Sequence, residues 1–201
     1  MCPRRPSAEQ RLVASVVAGP YVKSVVDGVG PTHSDRLCVA SYNARTLGGP
    51  TGAKILAEAA AEKRIDLLGL QETRGTGKTR RCGGYIRATA SALRGHGGCE
   101  LWVRIGACVM IRDGVSVALN AEAIAVLHAD PRHLVVSIVA ASFRLIVSVA
   151  QAPNNTSSTA AEIADWWVRT VAVITACRGE CVNLLCMHDA NQHLPPDAGQ
   201  S

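Results

Sequence analysis

Leu67-Leu68-Gly69-Leu70 is an unbroken apolar run, and Gln71 and Glu72 follow it with no spacer. Four residues are too few for a helix, and the missing polar alternation argues against a half-exposed strand. The run fits a short strand over 66–70, buried on both faces. Such a strand needs cover above and below, so the chain has to build layers around it. Residues 52–64, rich in Ala, Glu and Lys, read as a helix with Ile55, Leu56, Ala59 and Ala60 on one side. Before it, residues 37–42 read as a strand ending at Asn43, with Gly48-Gly49-Pro50 as the loop between them. Residues 37–71 are therefore expected to form a strand–helix–strand unit.

The middle of the chain is β-rich. Residues 85–90, 99–104, 115–119 and 124–128 are candidate strands between Gly-rich turns. The run from His133 to Ala150 divides at Ala141-Ser142 into two strands of a hairpin. Thr159 opens a helix, because Glu162 stands three residues later and completes a capping box. Ile163, Trp167, Val171 and Ile174 are the expected apolar stripe of that helix. Residues 182–187 form a last buried strand, ending at His188-Asp189. Strands dominate over two helices, which predicts an α/β (α+β) sandwich with helices outside the sheets. Residues 1–35, broken by Pro3, Pro6, Pro20, Gly28, Gly30 and Pro31, read as a poorly ordered lead-in, and 36–201 as one domain.

Hydrophobic residues make up 48% of the chain and aromatics 3%, so the core must come from Val, Ile, Leu and Ala. The formal charge of +5 permits a phosphate-bearing partner without requiring one. Eight scattered cysteines, with no signal-peptide pattern before them, read as reduced thiols of an intracellular protein. No apolar run is long enough to span a bilayer: the longest, near residues 134–150, is interrupted by Arg144, so no membrane partner is expected.

Three buried strands end in polar residues: the first at Asn43, the second at Glu72, the third at Asp189 and Asn191. Taken singly, each is a strand meeting water. As parallel neighbours joined by helical crossovers, they would bring two carboxylates and two amides to one rim. That donor set suits a hard cation, because magnesium takes oxygen ligands and needs only one or two protein carboxylates. Glu72 and Asn43 are the candidate metal ligands, Asp189 the group that orients or deprotonates a water, and Asn191 its support.

At these residues the chain resembles the endonuclease/exonuclease/phosphatase superfamily, the deoxyribonuclease-I-like fold. The likeness is nearest to endonuclease domains of LINE-type (non-LTR) retrotransposons and to apurinic/apyrimidinic endonucleases. It runs from Leu37 to about Leu194. The stretch around Asn43 resembles the family's opening strand, and the one around Glu72 the strand with its metal-binding glutamate. Residues 94–104 resemble a strand with a Gly-Gly-Val-Ala segment, and 145–155 a strand that ends in a phosphate-contacting loop. The stretch around Asp189 and Asn191 resembles the Gly-Asp-Phe-Asn motif. The resemblance implies a four-layer sandwich of two β-sheets flanked by helices. It also implies magnesium-dependent (or manganese-dependent) phosphodiester hydrolysis, with nucleic acid, DNA foremost, as partner. By it Glu72 and Asn43 bind metal, Asp189 activates water, and Asn191 and Asn154 contact phosphate. Arg74, with Lys78, Arg80 and Arg81, forms a basic loop suited to a nucleic-acid backbone.

The chain departs from the pattern at Gln151, where the family usually has Tyr or His, and at His188, where it has Gly. The family's later acidic residue and terminal Asp-His pair have no counterpart. The resemblance therefore implies a domain incomplete at its C-terminus, lacking the last strands of the second sheet and weak or inactive alone. Two rival functions are a catalytically inactive nucleic-acid-binding remnant and a phosphatase acting on a small phosphoester. Cys177, Cys181, Cys186 and His188 can be drawn as a zinc site, but buried cysteines acting as small hydrophobes explain them better. His128 and His133 flank the Ala129-Asp130-Pro131 turn, with no function expected of them.

Overall fold

A computed structural model of the chain describes residues 37–45, 47, 49–75, 80–110, 115–181 and 183–191. The lead-in expected over 1–35, and Lys78 of the basic loop, lie outside the described residues.

The opening unit is β1 (Val39–Asn43), α1 (Gly49–Glu62) and β2 (Leu67–Gln71), with β1 and β2 paired in parallel. Every residue of β2 is buried. Helix α1 starts at Gly49, so Gly49-Pro50 is its first turn and not a loop. Proline belongs there because the first helical N–H has no intrahelical acceptor to lose. The buried face of α1 is Ala53, Leu56, Ala57 and Ala60. Ile55, expected inward, is 49% exposed. At about 100° per residue, Ile55 falls nearly opposite the face of Ala53, Leu56, Ala57 and Ala60, so it points away from the sheet.

β2 continues into an antiparallel meander of β3 (Arg80–Cys82), β4 (Tyr85–Ala90) and β5 (Cys99–Arg104). The five strands lie in the order β1-β2-β5-β4-β3. A small ribbon pairs β6 (Cys108–Met110) with β7 (Ser116–Ala118). The second sheet holds β8 (Ile124–Asp130), β9 (His133–Ala140), β10 (Phe143–Gln151) and β11 (Leu184–Asp189), in the order β11-β10-β9-β8. β9 and β10 form the hairpin expected from the break at Ala141-Ser142. Helix α2 (Ala160–Arg178) connects β10 to its parallel neighbour β11.

Thr159 caps α2 with the full reciprocal box: its hydroxyl accepts from the Glu162 N–H, and Glu162 accepts from the Thr159 N–H. The buried stripe of α2 is Ile163, Trp166, Thr170 and Ile174. Trp167 is half-buried and Val171 is 59% exposed, so the expected stripe is off by one residue at its middle. Positions 163, 166, 170 and 174 follow the 3.6-residue period as well as the apolar set does. Trp166 is the buried tryptophan over Ala150 and Ala152, with the half-buried Trp167 packed beside it.

Three apolar layers hold the sandwich together. Between the sheets, Leu67, Leu101 and Val103 meet Leu134, Val136, Val147, Val149 and Met187. Outside the first sheet, the alanine face of α1 packs on Ala40, Leu68, Leu70 and Trp102. Outside the second, Ile174 packs on Val135 and Ile146. The result is four layers: helix, five-stranded sheet, four-stranded sheet, helix. One close approach requires a missing side chain. A Cβ at Gly69 would lie 2.3 Å from Met187 Sδ and 2.9 Å from its Cβ, so β2 and β11 meet across the interface only because residue 69 has none.

Candidate functional site

Four strands deliver their carboxyl ends to one place. β1 ends at Asn43, β2 at Gln71 with Glu72 next, β10 at Gln151 and β11 at Asp189. The parallel-neighbour arrangement holds within each of two strand pairs and not across all three expected strands. β1 and β2 are parallel neighbours in the first sheet, whereas β11 pairs with β10 in the second. The rim is formed across the sandwich, by two parallel pairs facing each other.

Gln71 joins the two pairs. Its side-chain amide donates to Met187 O at 2.9 Å and to Ser41 Oγ at 3.1 Å, and the residue is 1% exposed. A glutamine ends an apolar strand here because a neutral donor is needed inside the interface. Glu72, immediately after it, turns out of the strand with φ 54°, a left-handed conformation that side chains other than glycine disfavour.

Asn43 lies between the two carboxylates. Its Nδ2 donates to Glu72 Oε1 at 3.0 Å and to Asp189 Oδ2 at 2.6 Å. Glu72 Oε1 accepts a second amide proton, from Gln151 Nε2 at 2.6 Å. Asp189 Oδ1 accepts the Asn191 N–H at 3.0 Å. Among the described residues, no basic side chain forms an ion pair with Glu72 or Asp189. Elsewhere the chain does pair its buried acids: Glu100 holds Arg87 at 2.7 Å, and Asp66 pairs with Arg104. Two half-buried carboxylates held by amides alone form a focus of negative potential.

The residues fit a hard divalent ion. The two carboxylates offer the oxygen ligands magnesium and manganese prefer, whereas Asn43 presents its Nδ2 to them and its Oδ1 accepts the Arg45 N–H at 3.1 Å. Gln151 Oε1 is buried and has no hydrogen-bond partner among the described residues. A buried carbonyl oxygen left unsatisfied costs about 1–3 kcal/mol, and a cation or its coordinated water would satisfy it.

The other expected contacts are placed differently. The Asn191 amide donates to Ala152 O at 2.6 Å, tying the loop after β11 to the end of β10. Its side chain is thus engaged with backbone, while its N–H fixes Asp189. Asn154 Oδ1 accepts from Ser157 N–H, Ser157 Oγ and Thr156 Oγ1, so it closes its own exposed turn. Arg74 is exposed two residues beyond Glu72, its N–H held by Gly97 O at 3.0 Å. Gln151 was legible only as a departure from a pattern. The signal that points to it is the one used for the others, a polar residue closing the apolar run of β10.

The alternative zinc set does not assemble. Cys186 is exposed on β11, contrary to the expectation of burial, because β11 is an edge strand among the described residues. Among those residues, the group whose donor atoms all converge within 4.8 Å is His128, Asp130 and His133, on the turn for which no function was expected. Among the described residues no helix is long and apolar enough to cross a membrane.

No protein-family profile and no curated protein matches the chain. A solved structure does: the endonuclease domain of TRAS1, a telomere-specific non-LTR retrotransposon. The likeness has a TM-score of 0.51 at 14% identity and covers 79% of this chain. The match takes in 61% of the length of that domain. The layer order and this likeness together give the chain a deoxyribonuclease-I-like fold, an α+β sandwich of two sheets flanked by helices.

Proposed function

We propose that the chain carries the metal-dependent phosphodiester hydrolysis site of an endonuclease-type domain, acting on nucleic acid, with DNA favoured. The observation that carries this reading is the Asn43 amide bridging Glu72 and Asp189, two carboxylates without a basic partner among the described residues. Glu72 would hold magnesium or manganese, and Asn43 would join it by turning its amide so that Oδ1 replaces Nδ2 at the rim. When bound, the ion would neutralise charge that grows on the phosphoryl oxygens. Asp189 would take the proton from the attacking water at a carboxylate oxygen. Asn191 acts through its N–H, which orients Asp189, and so serves as a positioning residue. Arg74, exposed next to the rim, would bind a backbone phosphate, and Asn154 would present its turn to another. The fold of the structural neighbour supports this class of chemistry, and the net charge of +5 suits a polyanion.

Plasmid nicking with magnesium tests the reading. Wild type should nick weakly, and Glu72→Ala and Asp189→Ala should each lose at least about 100-fold of that activity, as expected when a group acting mainly in the transition state is removed. Equal nicking by wild type and both variants would contradict it. DNA binding without nicking in any of the three would favour the binding-module alternative.

A further inference from the structure

The β8–β9 hairpin ends in three metal-ligand side chains that the phosphodiesterase reading does not use. His128 and Asp130 are two apart on β8 and therefore share a face. Asp130 pairs directly with His133 across the hairpin. A register shift between Val126 and His128 re-aims the strand just before the cluster. His128 Nε2 lies 3.0 Å from Asp130 Oδ2, and one donor atom from each of the three residues lies within 4.8 Å of the others.

A histidine–aspartate pair alone is an ordinary surface contact. The third group is what sets this one apart. His133 is 2% exposed, and its Nε2 lies 2.9 Å from Ser148 Oγ. Ser148 Oγ lies 2.8 Å from His188 Nε2. If His133 Nε2–H donates to Ser148 and the Ser148 hydroxyl donates to His188, the three atoms of this relay are all satisfied. That arrangement leaves His133 Nδ1 deprotonated, with its lone pair as the ring's remaining donor. A metal-binding histidine takes this form, with its far nitrogen anchored so that tautomer and ring angle are fixed. Asp130 is prepared in the same way, since its Oδ1 accepts the Arg132 N–H at 2.8 Å and leaves Oδ2 for the cluster.

We propose that His128, Asp130 and His133 form a second metal site, distinct from the Glu72–Asp189 rim, for a borderline divalent ion of the zinc class. Two imidazoles and one carboxylate match zinc and its neighbours better than magnesium, which prefers oxygen. Closing on the ion requires only short side-chain movements, because zinc bonds of about 2.0–2.1 Å to nitrogen place neighbouring donors roughly 3.3 Å apart. The site would brace the rim. Pro131 O, on the turn within the cluster, accepts the Gly98 N–H at 2.6 Å, and Arg132 O accepts the Gln151 N–H at 2.9 Å. Gly97 and Gly98 carbonyls in turn hold the N–H groups of Arg74 and Thr73. An ion on the hairpin would therefore fix the loop after Glu72 and the end of β10 together.

The test is calorimetric titration of the reduced, chelator-stripped full chain with zinc chloride, repeated with cobalt chloride while recording the visible spectrum. One zinc per chain should bind with micromolar or tighter affinity. His128→Ala and Asp130→Asn should each weaken it at least tenfold, and Glu72→Ala should leave it within twofold. Asp130→Asn is isosteric at a half-exposed position, so it keeps the test open if His128→Ala fails to fold. Binding weaker than 100 µM, binding unmoved by both hairpin variants, or a cobalt spectrum with thiolate charge-transfer bands would each overturn the proposal. Retention by Glu72→Ala separates this outcome from failure of the phosphodiesterase reading.

Discussion

Glu72 occupies a backbone conformation that its own side chain disfavours. At φ 54° the Cβ crowds the following carbonyl, at a cost of about 1 kcal/mol. Nothing in the packing requires a glutamate there, since the residue is half-buried and its carboxylate accepts from two side-chain amides. A glycine would serve the turn better. Glu72→Gly should therefore be more stable than Glu72→Ala by roughly 1 kcal/mol in urea denaturation, while both lack the carboxylate. Equal stabilities would mean that the turn relaxes on substitution and stores no strain. Asn43 solves the complementary problem. Two carboxylates that converge without a cation repel each other, and an amide that donates to both lowers the cost of holding them together. Its neutral side chain lets the site exist before an ion arrives.

At the scale of elements, β2 shows how sequence sets geometry. Its five residues are buried on both faces, as the apolar run requires. Gly69 is the point of contact with β11, and Gly69→Ala should destabilise the fold by about 1–3 kcal/mol through overpacking against Met187. A loss below 0.5 kcal/mol in urea denaturation would show that the Met187 side chain moves aside. Tyr85 fastens the next strands: fully buried, it donates its hydroxyl to Ile65 O at 2.8 Å. Burial pushes its pKa up from the usual 10.0 to about 12, with Arg104 opposing the shift and Asp66 and Cys38 adding to it. The folded form thus favours the neutral phenol. Its contribution, about 2–3 kcal/mol, is complete below pH 10 and lost as pH rises through 12. Tyr85→Phe should flatten that alkaline limb in unfolding curves recorded between pH 9 and 12, and an unchanged limb would assign it to other groups.

How far the elements were legible follows from the same physics. β4 and β5 carry long apolar or alternating runs between glycines, and their limits match the expected 85–90 and 99–104. β3 and β6, three residues each, carry too little pattern to stand out, and tertiary pairing alone makes them strands. The Arg87–Glu100 pair under Trp102 was equally silent, because Arg87 and Glu100 meet only through strand pairing. The rim residues Asn43, Glu72 and Asp189 were legible as polar ends of apolar runs. That β11 belongs to the opposite sheet was not, since a strand–helix–strand pattern fixes the parallel partner of β11 as β10 only once the crossover α2 is seen to return to it. The histidine cluster was read as a plain turn because the bulge and the His133–Ser148 bond that organise it are three-dimensional facts.

At the scale of the whole molecule, the sandwich acts as a clamp. Two parallel strand pairs, one per sheet, point their carboxyl ends the same way, and Gln71 ties them through Met187 O. The candidate site is therefore as rigid as the interface between the sheets, and Asn43 and Asp189, which bond within it, come from segments 146 residues apart in the chain. Its two cation-binding candidates differ in chemistry. The rim offers oxygen, and the hairpin offers nitrogen and one carboxylate, so ions of different hardness should sort between them.

Manganese binding followed by electron paramagnetic resonance tests the central claim most directly, because manganese replaces magnesium at oxygen sites and reports occupancy without any turnover. A manganese ion should bind at the rim and be displaced by excess magnesium. Its affinity should fall at least about tenfold in Glu72→Gln, which removes the charged ligand, and in Asp189→Asn, which removes the neighbouring negative charge from an oxygen site, and should persist in His128→Ala. Manganese binding of equal strength in wild type, Glu72→Gln and Asp189→Asn would contradict that claim.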